Sequence, residues 1–89
     1  MVVDDTQENL VLLATILQPE GYKVMTLPNG AMAVEAAKAR LPDLILLDIM
    51  MPGIDGYETC AMLKANSSTA AIPIIFISAL AEPLGNLTG

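Results

Sequence analysis

Eighty-nine residues make one domain at most, and 54% of them are apolar, which argues against a disordered tail. Ten acidic residues face four basic ones, a formal net charge of −6, and no basic face exists for a phosphate backbone or an anionic membrane. Cys60 is the only cysteine, so no internal disulfide and no cysteine-built metal site can form; in a helical stretch it reads as a small core residue.

In chain order, Met1-Val2-Val3 reads as a short strand leading into Asp4 and Asp5. From Gln7 to Leu17 the period becomes helical, with Leu10, Leu13, Ala14 and Leu17 on one face, Asp5 or Thr6 as cap, and Pro19 and Gly21 at the end. Tyr22 to Leu27 is rich in strand formers, and Pro28-Asn29-Gly30 is a turn. Ala31 to Arg40 is helical, with Ala33, Val34, Ala37 and Leu41 as its inner face. Leu44 to Leu47 is a continuous apolar strand of the kind covered on both sides, and Asp48 stands at its mouth. A loop runs from Met50 to Asp55, and Gly56 to about Ala65 is a helix capped by Asp55 with Glu58 three residues on. Pro73 opens the strand Ile74-Ile75-Phe76-Ile77, Ser78 follows it, and Glu82-Pro83 can start another helix.

Alternating strands and helices imply an α/β fold with a parallel sheet and helices on both faces. Right-handed crossovers carry every strand's C-terminal end to one edge, so Asp4, Asp5, Asp48 and Ser78 are expected to converge there. Clustered carboxylates repel one another, by roughly 4 kcal/mol for two charges about 4 Å apart at an effective dielectric near 20. Two readings are open: three separately hydrated loop aspartates, or an oxygen-only site for a hard divalent cation such as Mg²⁺. A metal beside a carboxylate permits an aspartyl-phosphate, with Asp48 as nucleophile and the Ser78 hydroxyl as donor to a phosphoryl oxygen. Taken alone, Ser78 reads first as a strand-end hydroxyl bonding its own backbone.

Three segments carry a resemblance: Val2-Val3-Asp4-Asp5, the run from Pro42 through Asp48, Met51-Pro52-Gly53 and Asp55-Gly56, and Ile74-Ile75-Phe76-Ile77-Ser78-Ala79. Their order and spacing, through essentially the whole chain, resemble the receiver domain of two-component response regulators. The resemblance implies a flavodoxin-like doubly wound sheet of strand order 2-1-3-4. It implies that Asp48 takes a phosphoryl group from a histidine kinase or phosphotransfer protein and that the domain switches conformation to control an output. Asp5 would hold Mg²⁺ directly, Asp4 largely through water, Met50 by its backbone carbonyl, and Ser78 would be the switch hydroxyl. Such a module is a signalling phosphoacceptor, not a conventional enzyme.

Receivers of this family carry a fifth strand ending in a lysine and a last helix, neither of which the sequence contains by Gly89. Residues 1–89 are thus expected to be a single receiver domain, incomplete at the C-terminus and clipped at the N-terminus, with an exposed sheet edge open to homodimerisation or swapping. The absent lysine leaves a second function in play, a docking module that works without phosphorylation. A phosphohydrolase of the haloacid-dehalogenase kind needs another Asp two residues after the first, where this chain has Met50. The acidic start lacks the basic region of a signal peptide, and no apolar run reaches membrane-spanning length, so a cytoplasmic location is the default expectation.

Overall fold

The computed structural model describes residues 1–77. Its elements run β1 (Val2–Val3), α1 (Gln7–Leu17), a single 3₁₀ turn (Gln18–Glu20), β2 (Thr26–Leu27), α2 (Gly30–Arg40), β3 (Ile45–Asp48), α3 (Gly56–Ala65) and β4 (Ile74–Ile77). The four strands form one parallel sheet of order β2-β1-β3-β4. The chain steps outward from β1 to β2, then returns across β1 to β3 and on to β4. Right-handed crossovers in opposite directions put their helices on opposite faces of the sheet. α1 accordingly lies against β1 on one face, while α2 and α3 pack together on the other.

Side chains alternate across a strand, so Val3, Ile45 and Leu47 share one face. They join Ala33, Val34 and Ala37 of α2, Leu63 of α3, and Met51 and Ile72 from the flanking loops in one buried cluster. Each fully buried Leu or Ile there contributes roughly 2 kcal/mol of transfer free energy. The inner face of α2 is small because α2 also meets α3 closely. A methyl group on Gly30 would collide with the Thr59 hydroxyl and lie 2.8 Å from Ile54 Cγ1.

Local signals set the element ends. Asn29 caps α2 by accepting from Met32 N at 2.9 Å. Asp55 and Glu58 form a reciprocal capping box at the start of α3, with Glu58 N to Asp55 Oδ1 at 2.8 Å and Asp55 N to Glu58 Oε1 at 3.3 Å. Thr6 is the N-cap of α1 but its side chain makes no capping bond.

Two expectations are corrected. The second strand is Thr26–Leu27, not Tyr22 to Leu27, because β1 offers only Val2 and Val3 for pairing. Leu41 does not belong to the inner face of α2: it ends the helix at φ 48° and is 54% exposed. Cys60 is half-buried against the core cluster. The helix start read at Glu82-Pro83 lies outside the described residues.

Candidate functional site

Strand register builds the site. Val2 pairs with Leu46 and Val3 with Leu47, so the next step along both strands brings Asp4 beside Asp48. Asp5 follows at the turn into α1. The structure brings all three together: one carboxylate oxygen from each of Asp4, Asp5 and Asp48 lies within 4.8 Å of the other two. Asp4 and Asp48 are buried, at 1% and 6% exposure, and Asp5 is exposed. The result is an acidic floor with one solvent-facing wall.

Asp4 is held at both oxygens. Thr6 N donates to Oδ1 at 2.8 Å, and Asn9 Nδ2 donates to Oδ2 at 3.0 Å. Asp48 accepts from Met50 N at 3.3 Å. Burial raises the Asp48 carboxyl from its ordinary 3.8 to about 6; the charge of Asp4 adds to the rise, the Met50 N–H opposes it, and Asp5 adds the remainder.

The loop after Asp48 is fixed from three sides. Ile49 N donates to Ile77 O at 3.1 Å and Gly56 N to Ile49 O at 2.8 Å, while Gly53 turns the chain at φ +79°. Met51 is buried in the core, whereas the Met50 side chain is 76% exposed, so only the backbone of Met50 faces the pocket's business. Ser78 lies outside the described residues.

No lysine or arginine among the described residues forms an ion pair with the cluster; the one ion pair found there is Lys38 with Glu35. Lys64 is committed elsewhere. Its ammonium donates to Ala70 O at 2.9 Å and Ile72 O at 2.7 Å, tying α3 to the start of β4. Three carboxylates without a cationic partner form an oxygen-only donor set, and that chemistry suits a hard divalent cation with water in its remaining positions.

The family model of the response regulator receiver domain matches residues 1–84. The chain belongs to that family. This receiver is 46% identical over 80 residues to the response regulator PleD of Caulobacter vibrioides, covering 90% of the chain and 18% of that protein. It is 39% identical over 88 residues to the phosphate regulon transcriptional regulatory protein PhoB of Rhizobium meliloti, covering 99% of the chain and 39% of PhoB. Among solved structures, the N-terminal domain of a response regulator receiver protein from Methanoculleus marisnigri superposes with a TM-score of 0.85 at 36% identity, over 98% of this chain and 73% of that one. Vibrio cholerae chemotaxis protein CheY4 gives 0.83 at 27% identity, over 99% and 73%. The receiver therefore spans less than two fifths of these two curated relatives' length. The fold is that of CheY-like proteins, with the strand order expected from the resemblance. Among the described residues, no helix is long and apolar enough to cross a membrane.

Sequence reasoning missed Asn9. A signal was available: Asn9 stands four residues before Leu13, on the inner side of α1, and a polar group there requires a partner. It is buried, and the partner is Asp4.

Proposed function

We propose that this receiver is a phosphoacceptor: Asp48 takes the phosphoryl group of a phosphohistidine presented by a histidine kinase or a phosphotransfer protein. The observation that carries this reading is the meeting of Asp4, Asp5 and Asp48 within 4.8 Å, with Asp48 buried beside the exposed Asp5. In the step, an Asp48 carboxylate oxygen forms a bond to phosphorus as the phosphorus–nitrogen bond breaks. The electron pair of that bond stays on the imidazole. Above about pH 6 Asp48 is mostly ionised and available as nucleophile.

Asp5 and Asp48 would hold Mg²⁺ directly, Asp4 through water, and Met50 through its carbonyl. When bound, the ion supplies positive charge to the transferring oxygens. The chain's own groups do the remainder. The Met50 N–H restrains rotation of the Asp48 carboxylate, and the Thr6 and Asn9 donors hold the Asp4 carboxylate in place. Ser78, directly after the strand that pairs with β3, is the hydroxyl assigned to a phosphoryl oxygen in this reading.

Incubation with acetyl phosphate and Mg²⁺, followed by intact-mass measurement, tests the reading. One added phosphoryl group, absent in Asp48→Ala and without Mg²⁺, supports it. A mass unchanged under conditions where the protein is folded overturns it and leaves the docking module that needs no phosphate.

A further inference from the structure

Asp4 is almost wholly removed from water, yet no cation pairs with it among the described residues. Its two oxygens are held by two neutral donors, which differ in origin. Thr6 N is backbone and belongs to the turn whatever side chains are present. Asn9 Nδ2 is a side-chain donor, itself buried in the first turn of α1, 3.0 Å from Oδ2. With Thr6 N on Oδ1 at 2.8 Å, the two bonds fix the plane of the carboxylate, since rotation breaks one or both. A carboxylate can accept about four hydrogen bonds, so lone pairs remain for water on the pocket side.

Asn9 also has the right charge. A lysine or arginine in its place would hold Asp4 equally well but would put a cation beside the cluster and compete with a bound ion. An aspartate would add a fourth carboxylate. A leucine of similar size would leave Oδ2 without its donor in a buried setting, where an unpaired charged oxygen is costly. Asparagine fixes the carboxylate and leaves the cluster's negative charge intact.

We propose that Asn9 is a positioning residue of the cation site: its amide aims the Asp4 carboxylate and so sets how tightly the acidic cluster takes a divalent ion. The inference rests on the reading of Asp4, Asp5 and Asp48 as a Mg²⁺ site and names what orients it. Supporting partners outside the ligand shell commonly govern metal affinity by about 10–100-fold.

The test is calorimetric titration of the 89-residue chain with MgCl₂, in wild type, Asn9→Leu and Asn9→Gln, with urea unfolding of each variant without metal. Asn9→Gln retains the amide on a longer stem. The expected result is a Mg²⁺ dissociation constant about tenfold weaker in Asn9→Leu and closer to wild type in Asn9→Gln. A purely structural role would lower the unfolding midpoint of Asn9→Leu and leave the affinity of its folded form unchanged, and that result overturns the proposal. Should Asn9→Leu not fold, Asn9→Gln and Asn9→Ser decide it: affinities equal to wild type in both would reject the positioning role. Absence of Mg²⁺ binding by the wild type would instead remove the cation site itself, and the proposal with it.

Discussion

Gly56 lies directly under Asp48. A methyl group on its Cα would collide with the Asp48 carbonyl oxygen and come within 2.7 Å of Ile49 Cα. Both obstacles are backbone and cannot swing aside. Gly56 N also donates to Ile49 O at 2.8 Å, so the start of α3 is bolted to the residue after Asp48. Helix position and carboxylate position are thereby one geometric quantity.

Gly56→Ala is expected to destabilise the fold by about 1–3 kcal/mol, because a tightly packed backbone must move to admit the methyl. Gly53→Ala is the comparison. Nothing stands near its missing side chain, but its φ of +79° disfavours any L-residue, at a cost of about 1–2 kcal/mol. Urea unfolding measures both. Mg²⁺ affinity separates them by degree: Gly56→Ala should weaken it more, since its added methyl meets the Asp48 backbone itself, whereas Gly53→Ala acts only through the loop that carries Met50.

The raised Asp48 carboxyl makes a signed prediction for stability against pH. Folding lifts its pKa from 3.8 to about 6, so between those values the folded chain keeps a proton that the unfolded chain releases. Without metal, this residue's contribution is most favourable below about pH 4 and is lost as pH rises through 6. Asp48→Asn removes the charge and should stabilise the protein by about 1–2 kcal/mol at pH 7.5 and by little at pH 4, given that the pocket is open to water on the Asp5 side. Urea midpoints of the two proteins in EDTA at both pH values give the difference. A constant difference across pH would contradict the assignment.

Mg²⁺ should reverse that sign. A divalent ion favours the ionised carboxylates, so added Mg²⁺ stabilises wild type at pH 7.5 by RT ln(1 + [Mg²⁺]/Kd), about 2.7 kcal/mol at a hundredfold excess over Kd. The gain should fade on acidification through about pH 6 as Asp48 takes up its proton. Thermal melts with and without MgCl₂ at pH 7.5 and pH 5 check this, with Asp5→Asn and Asp48→Asn expected to lose most of the gain.

How much of this the sequence held differs from element to element. The Leu10, Leu13, Ala14 and Leu17 stripe gave α1 its correct span because periodicity is a local property. The Asp55–Glu58 pair marked the start of α3 for the same reason. Tyr22 to Met25 look like strand in composition, yet strand status depends on a partner, and β1 is in register only with Thr26 and Leu27, Met25 adding just its carbonyl to Val2 N at 2.8 Å. Leu41 continued the apolar stripe of α2, but the helix terminates there in a left-handed turn that hydrophobic spacing does not encode. The three aspartates were visible as strand-end acids. Their separation was not, and Asn9's place on the inner side of α1 signalled a buried donor without naming Asp4, five residues back across the turn, as its acceptor.

Lys64 tests whether a cation far from the pocket matters to the fold alone. Its ammonium bridges Ala70 O and Ile72 O, closing the loop that leads from α3 into β4. Thr69 supports the same loop from inside, with its buried hydroxyl donating to Leu63 O at 2.6 Å. Lys64→Met retains most of the aliphatic stem and deletes the donor. The Ala70 bond is exposed and that carbonyl can turn to water, whereas the Ile72 bond is part-buried and Ile72 itself is buried, so the expected loss is about 1–2 kcal/mol. Mg²⁺ affinity should be unchanged, because the bridge sits at the opposite end of the strands from Asp48. A clear drop in Mg²⁺ affinity with Lys64→Met would mean that the loop before β4 reports to the acidic edge through the β3–β4 pairing of Asp48 with Ile77.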